Sequence, residues 1–244
     1  MAMSDAAVSC EVLYISERSA WGELGYEMVS SAFPSVQPVF WSPGMPKPDI
    51  SGWKGDWIFS FKSDLILSRD ILKRAKKGAI NFHPSSPKYR GVGGYWWALH
   101  NGDDAFGVTC HHMNERIDYG AIIKANSFSI LPEETIESLK HKAAIHSLTL
   151  LNETLDAIRI GKPLAPCGAK WERHLYTYRE LALAQSANAM NSDRNATQLV
   201  VEPLGARPAL EALQIIHDCI IGSGEERAKA LWVDRRAKPR AAFG

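Results

Sequence analysis

Three polar side chains of different chemistry stand among apolar neighbours. The amide of Asn81 and the imidazole of His83 lie in Ala79-Ile80-Asn81-Phe82-His83-Pro84, and the carboxylate of Asp118 lies in Arg116-Ile117-Asp118-Tyr119-Gly120. An amide donor, a base that titrates near neutral pH and a carboxylate to orient that base are the parts needed for acyl transfer through a tetrahedral oxyanion. Asn81 and His83 are two apart, so a strand points both to one face. Pro84 has no N–H to donate and ends that strand. Singly, the pair could bond its own loop and the aspartate could shape a turn. Together, beside one Gly- and Pro-rich loop, they read as an active site.

Rival chemistries are less well supported. Cys110, His111 and His112 are adjacent, but neighbours on a strand point to opposite faces and cannot all reach one ion, so no metal is expected. The four cysteines, Cys10, Cys110, Cys167 and Cys219, form no C-x-x-C and suggest neither a zinc knuckle nor a redox pair. Gly91-Val92-Gly93-Gly94 lacks the lysine and hydroxyl of a nucleotide phosphate loop. Ser85 and Ser86 lack the glycine frame of a serine-hydrolase elbow.

Strand-length apolar runs are predicted over residues 10–15, 37–41, 57–61, 79–83, 107–113 and 122–130. Helical patterns fall at 18–33, at 69–77 behind the Ser68 cap, at 95–100 and at 132–160, where Glu133 and Glu134 suit the first turn and Gly161 the stop. This alternation predicts an α/β, Rossmann-like fold: a mostly parallel twisted sheet flanked by helices. In such sheets ligands bind beyond the carboxyl ends of the strands, where Asn81 and His83 lie. Residues 1–185 are expected to form the catalytic domain. Residues 186–244 are expected to be a linker and a short, mainly helical C-terminal extension, with an amphipathic helix at 207–221 and a basic end at 234–244.

The chain has 244 residues, 45% hydrophobic and 23% charged, with a net charge of +1. Such a balance gives no overall pull toward nucleic acid or an anionic membrane. No signal peptide or membrane span is read at the N-terminus, so a cytoplasmic protein is expected.

The run N-F-H-P-S-S-P-K-Y-R-G-V-G-G-Y-W-W-A-L-H-N-G-D, followed by F-G-V-T-C-H-H-M-N-E-R-I-D-Y-G-A-I-I, resembles the folate-dependent formyltransferases. That family includes enzymes acting on methionyl-tRNA, glycinamide ribonucleotide and nucleotide sugars. The resemblance implies that Asn81, His83 and Asp118 are catalytic, that N10-formyltetrahydrofolate is the formyl donor, and that the acceptor is a primary amine or hydroxylamine. It implies a pteridine beside the 114–120 loop, with Met113, Asn114, Ile117 and Asp118 as contacts and main-chain groups near Phe59 and Phe61 as further ones. The chain departs from the family pattern in a shorter Ser85-Ser86-Pro87 loop and in Asn114-Glu115-Arg116.

For the acceptor, the tRNA enzyme carries a C-terminal β-barrel of roughly a hundred residues. The tail here is shorter and reads helical. A Gly-rich phosphate loop, usual after the first strand of the purine enzyme, is replaced by Ser16-Glu17-Arg18-Ser19. A small amine remains. A nucleotide-linked amino sugar comes first, with Lys88, Tyr89, Arg90 and Trp171 as expected contacts, supported by Trp96, Trp97, Arg173 and Tyr176. Alternatives are a hydroxyornithine-type siderophore precursor or methionyl-tRNA. Outside transfer altogether stand a silent folate-binding protein and hydrolysis by water. Nucleic acid and membrane are not expected as partners, and a homodimer is left open.

Overall fold

In the run from Val12 to Ile15 every side chain is buried, with no polar alternation, which requires a strand covered on both faces. The computed structural model describes residues 10–194. It makes that run the core of β1 (Glu11–Ser16), in a six-stranded sheet with β2 (Ser35–Phe40), β3 (Gly55–Phe61), β4 (Ala75–His83), β6 (Ala105–His112) and β7 (Ile122–Ser129). The order is β2-β1-β3-β4-β6-β7. β2, β1, β3 and β4 run parallel, whereas β6 and β7 join antiparallel. A two-stranded parallel pair, β5 (Arg90–Gly91) with β8 (Leu175–Tyr176), lies apart from it. The remaining elements are α1 (Ala20–Ala32), α2 (Arg69–Leu72), α3 (Gly94–His100), α4 (Ile136–Arg159) and α5 (Tyr178–Arg194).

The pleat sorts the core into two layers. One face carries Tyr14, Phe59, Phe61 and Phe82, all buried. α1 comes so close there that a Cβ on Gly25 would lie 2.4 Å from the Tyr14 hydroxyl. The opposite face packs Leu13, Ile15, Ile58 and Ala79 against Val39, Ile50, Trp53, Leu65, Leu67 and Ile71. This second face carries Asn81 and His83 at its carboxyl end, because Ser60 pairs with Asn81 in the β3–β4 register.

Three sequence expectations shift. Ser68 caps a helix by accepting from the Ile71 amide, but that helix ends at Leu72. The basic run expected to continue it to residue 77 enters β4 instead, where Ala75 pairs with Gly55. Sheet pairing overrides the helical propensity of Arg and Lys. The long helix starts at Ile136, not at 132. Thr135 and Ser138 form a reciprocal cap, and Glu134, outside the helix, bonds Ser138 and Lys142. Finally, α5 runs through residue 186, where a linker was expected. Its start is fixed by Thr177 and Glu180, each accepting from the other's amide. The expected helix at 207–221 and the basic end lie outside the described residues.

Among the described residues no helix is long and apolar enough to cross a membrane, and no group of three or more His, Cys, Asp or Glu side chains is arranged to hold a metal ion.

Candidate active site

β4 ends with Asn81 and His83 on one face, and the turn after β6 brings Asp118 to them. His83 Nδ1 lies 3.4 Å from Asp118 Oδ2. Asn81 Nδ2 donates to Asp118 Oδ1 at 3.2 Å. The three residues singled out from sequence therefore meet in one cluster.

A fourth member was not singled out as part of the site. His111 sits directly opposite Asn81 in the antiparallel β4–β6 register. Its Nε2 is 3.1 Å from Asn81 Nδ2 and 3.5 Å from Asp118 Oδ1. The alternation that denied a three-residue metal site holds: Cys110 points the other way, to Thr154 of α4, and His112 reaches the Leu164 carbonyl. Its corollary, that the middle residue of the triplet faces the site alone, is the signal that could have found His111.

Carbonyl oxygens can only accept, and this fixes one ring nitrogen of each imidazole as a donor. His83 Nε2 is 2.9 Å from the Tyr89 carbonyl, so it carries the proton and Nδ1 faces Asp118. His111 Nδ1 is 2.9 Å from the His112 carbonyl, so it carries the proton and Nε2 accepts from Asn81. Both amide hydrogens of Asn81 are thus engaged, one by His111 and one by Asp118. Burial by itself would push the Asp118 carboxyl upward. The neighbouring imidazoles of His83 and His111 and the Gly91 amide outweigh it and hold the pKa down to about 2.

The turn that presents Asp118 is tight. Asp118 has φ 41°, a left-handed conformation uncommon outside glycine. A Cβ on Gly120 would fall 1.6 Å from the His112 carbonyl oxygen. Trp171 donates from Nε1 to the Gly120 carbonyl at 2.7 Å, and its ring lies against His83 and His111.

The cluster opens into a cavity of about 890 Å³. Met113, Asn114, Ile117 and Asp118 line it, with Leu65 to Leu67. Elsewhere its walls hold Glu17, Trp21, Lys62, Tyr95, Lys140 and Tyr178. Lys62 is paired with Glu17 at 2.9 Å. Tyr178 donates to Asp64 at 2.8 Å across the α5 side.

Several sequence-picked residues are not on these walls. Phe59 and Phe61 are fully buried. The pleat turns them to the face opposite His83, and Ser60 is the β3 residue that reaches the cavity. Lys88 is engaged by Asp103, and Tyr89 is buried with its hydroxyl on the same carboxylate. Arg90 and Trp171 stand behind the cluster, bonded to backbone carbonyls. Trp96 and Trp97 pack against each other edge to face. Tyr176 does line the cavity.

An α/β sheet with an imidazole, amide and carboxylate cluster beyond the carboxyl ends of its parallel strands defines a domain equipped for group transfer. Residues 52–155 match the family model described as formyl transferase, and that stretch belongs to the folate-dependent formyltransferase family. The chain is 44% identical over 110 residues to the bifunctional polymyxin resistance protein ArnA of Wigglesworthia glossinidia brevipalpis, covering 45% of this chain but only 17% of that protein. An N-formyltransferase from Helicobacter canadensis, solved with folinic acid and dTDP-3-aminofucose, superposes with a TM-score of 0.58 at 18% identity, over 70% of this chain and 72% of that one. The formyltransferase PseJ from Anoxybacillus kamchatkensis, solved with UDP-4,6-dideoxy-4-formamido-L-AltNAc and tetrahydrofolate, gives 0.52 at 23% identity, over 68% and 84%. At these identities the two structures share the fold.

Proposed function

We propose that the protein transfers a formyl group from N10-formyltetrahydrofolate to the amine of a small substrate, with Asn81, His83 and Asp118 as catalytic residues. The observation that carries this reading is the placement of the two His83 ring nitrogens. With Nε2 committed to Tyr89, Nδ1 is the nitrogen free for proton transfer, and it stands against an ionised Asp118. As the acceptor nitrogen bonds to the formyl carbon, His83 Nδ1 takes its proton and Asp118 stabilises the imidazolium. The oxyanion is met by the new Nδ1–H and by an Asn81 amide hydrogen released from His111. The bond from carbon to N10 then breaks. His83 returns the proton to N10, leaving the N-formylated acceptor and tetrahydrofolate.

The size and two-sided lining of the cavity suit two ligands together. Met113 to Asp118, with Leu65 to Leu67, form the side for the folate. Glu17, Trp21, Lys62, Lys140 and Tyr178 form the side for the acceptor. Trp21 and Tyr178 offer stacking surfaces, and Lys62 and Lys140, paired with Glu17 and Glu137, carry charge on this wall that a diphosphate can share. A nucleotide-linked amino sugar uses all of these, and two proteins of this fold were solved with nucleotide sugars bound. The diphosphate handle supplies binding energy remote from a small reacting group.

Tetrahydrofolate release, followed spectrophotometrically against nucleotide amino sugars, hydroxyornithine and no acceptor, tests the proposal. The expected result is release only with acceptor and highest kcat/KM with a nucleotide sugar. Release without acceptor would make the protein a hydrolase, and faster turnover of hydroxyornithine would overturn the sugar assignment alone.

A further inference from the structure

Arg90 is 4% exposed, and all four of its hydrogen-bond acceptors are main-chain carbonyls. Nε donates to Asp118 O at 2.7 Å, Nη2 to Ile117 O at 2.9 Å, and Nη1 to Arg173 O at 3.0 Å and Glu172 O at 3.3 Å. Its planar face lies over the Tyr119 ring, 4.4 Å from the centroid, and Arg116 covers the same ring at 3.5 Å. Four of the five N–H groups of the guanidinium are committed in this way, leaving little to bind a substrate anion.

Two of those acceptors belong to consecutive residues. Ile117 and Asp118 both direct their carbonyls to the guanidinium, with Asp118 at φ 41°. In a regular strand successive carbonyls point to opposite sides. The guanidinium fork therefore matches the observed form of the turn and not an extended one. That form also sends the Asp118 carboxylate toward His83 Nδ1 and onto the Gly91 amide, next in sequence to Arg90.

Building on the formyl-transfer reading, we infer that Arg90 is a positioning residue that holds the 117–118 turn in its left-handed form and thereby aims Asp118 at His83. The carbonyls of Glu172 and Arg173 anchor the guanidinium from behind. Lysine cannot take its place, because an ammonium is a single donor centre and cannot span two carbonyls in a fixed plane.

The test compares Arg90→Ala and Arg90→Lys with the wild-type protein. Misplacing a catalytic group by about 1 Å costs on the order of 100-fold in rate, and this loss is expected in kcat for Arg90→Ala, with a much smaller loss in affinity for folinic acid, whose wall includes Ile117 and Asp118. Guanidinium ion well below denaturing concentration should restore part of kcat in Arg90→Ala and none in Arg90→Lys. Near-wild-type kcat in either variant, parallel losses in kcat and folate affinity, or no rescue of folded Arg90→Ala would overturn the assignment. Should Arg90→Ala not fold, Arg90→Lys alone decides: a lowered kcat with folate affinity retained supports the clamp. A crystal structure of the lysine variant reads the turn without any assay. Asp118 should leave positive φ and separate from His83, and an unchanged turn would overturn the inference. If wild type transfers no formyl group, the formyltransferase reading fails while the clamp is still judged by that structure.

Discussion

His83 and Asp118 meet through Nδ1 and Oδ2 at 3.4 Å, while Nε2 of the same ring is held at 2.9 Å by the carbonyl of Tyr89. Both ring nitrogens face acceptors. The imidazolium form satisfies both at once, and the neutral form leaves a lone pair against a carboxylate.

On the proposed mechanism, replacing that ring removes the general base. For His83→Ala we expect kcat to fall by about 10²- to 10⁴-fold with the fold retained. Steady-state rates beside circular dichroism check this. A variant within tenfold of wild type would take His83 out of the chemistry.

Asp118 should contribute stability that depends on pH. Its folded pKa of about 2 lies below the ordinary 3.8, so the contribution is present above pH ~4 and is lost as pH falls toward ~2. Its size is on the order of 2 kcal/mol. Urea unfolding of wild type and Asp118→Asn across this range should show a stability gap that closes with acid. At neutral pH the same variant should lose far more in kcat than in folate affinity.

His111 should matter through Asn81. In His111→Ala the Asn81 amide loses one of its two acceptors and its orientation is no longer fixed. Leaving a buried polar group unpaired costs ~1–3 kcal/mol, so transfer should drop by roughly 10- to 100-fold. His111→Gln, which can still accept through its side-chain oxygen, should recover part of the rate. Equal rates for the two variants would argue against this role.

Gly120 should tolerate no side chain. A Cβ only 1.6 Å from the His112 carbonyl oxygen must displace backbone, and Gly120→Ala is expected to cost at least ~3 kcal/mol in thermal or urea unfolding. A cost below ~1 kcal/mol would mean that the turn yields easily.

How far the sequence could be read follows range of interaction. Asn81 and His83 were legible because strand periodicity acts over two residues. Asp118 was legible through its turn and through a family motif. His111 needed the β4–β6 register, which no local pattern sets. Arg90 and Trp171 misled for the same reason. An exposed arginine and a buried one look alike until the carbonyls of residues 117, 118, 172 and 173 are brought to it. Which β3 side chain looks into the cavity was not legible, since a strand buried on both sides shows no alternation to reveal it; the structure gives that place to Ser60. At α2 the local signal was real, for Ser68 does cap, but the demand for a central strand shortened the helix.

The family match stops at residue 155, yet Trp171 covers both imidazoles and Glu172 and Arg173 receive Arg90. Leu175 to Tyr178 and Leu181 supply cavity wall. A fragment cut at the end of the matched stretch would keep Asn81, His83 and Asp118 and the strands that bear them. It would lose the backing of the aspartate turn and one side of the chamber. The backing and walls of this site therefore extend into α5, past the end of the family match at residue 155.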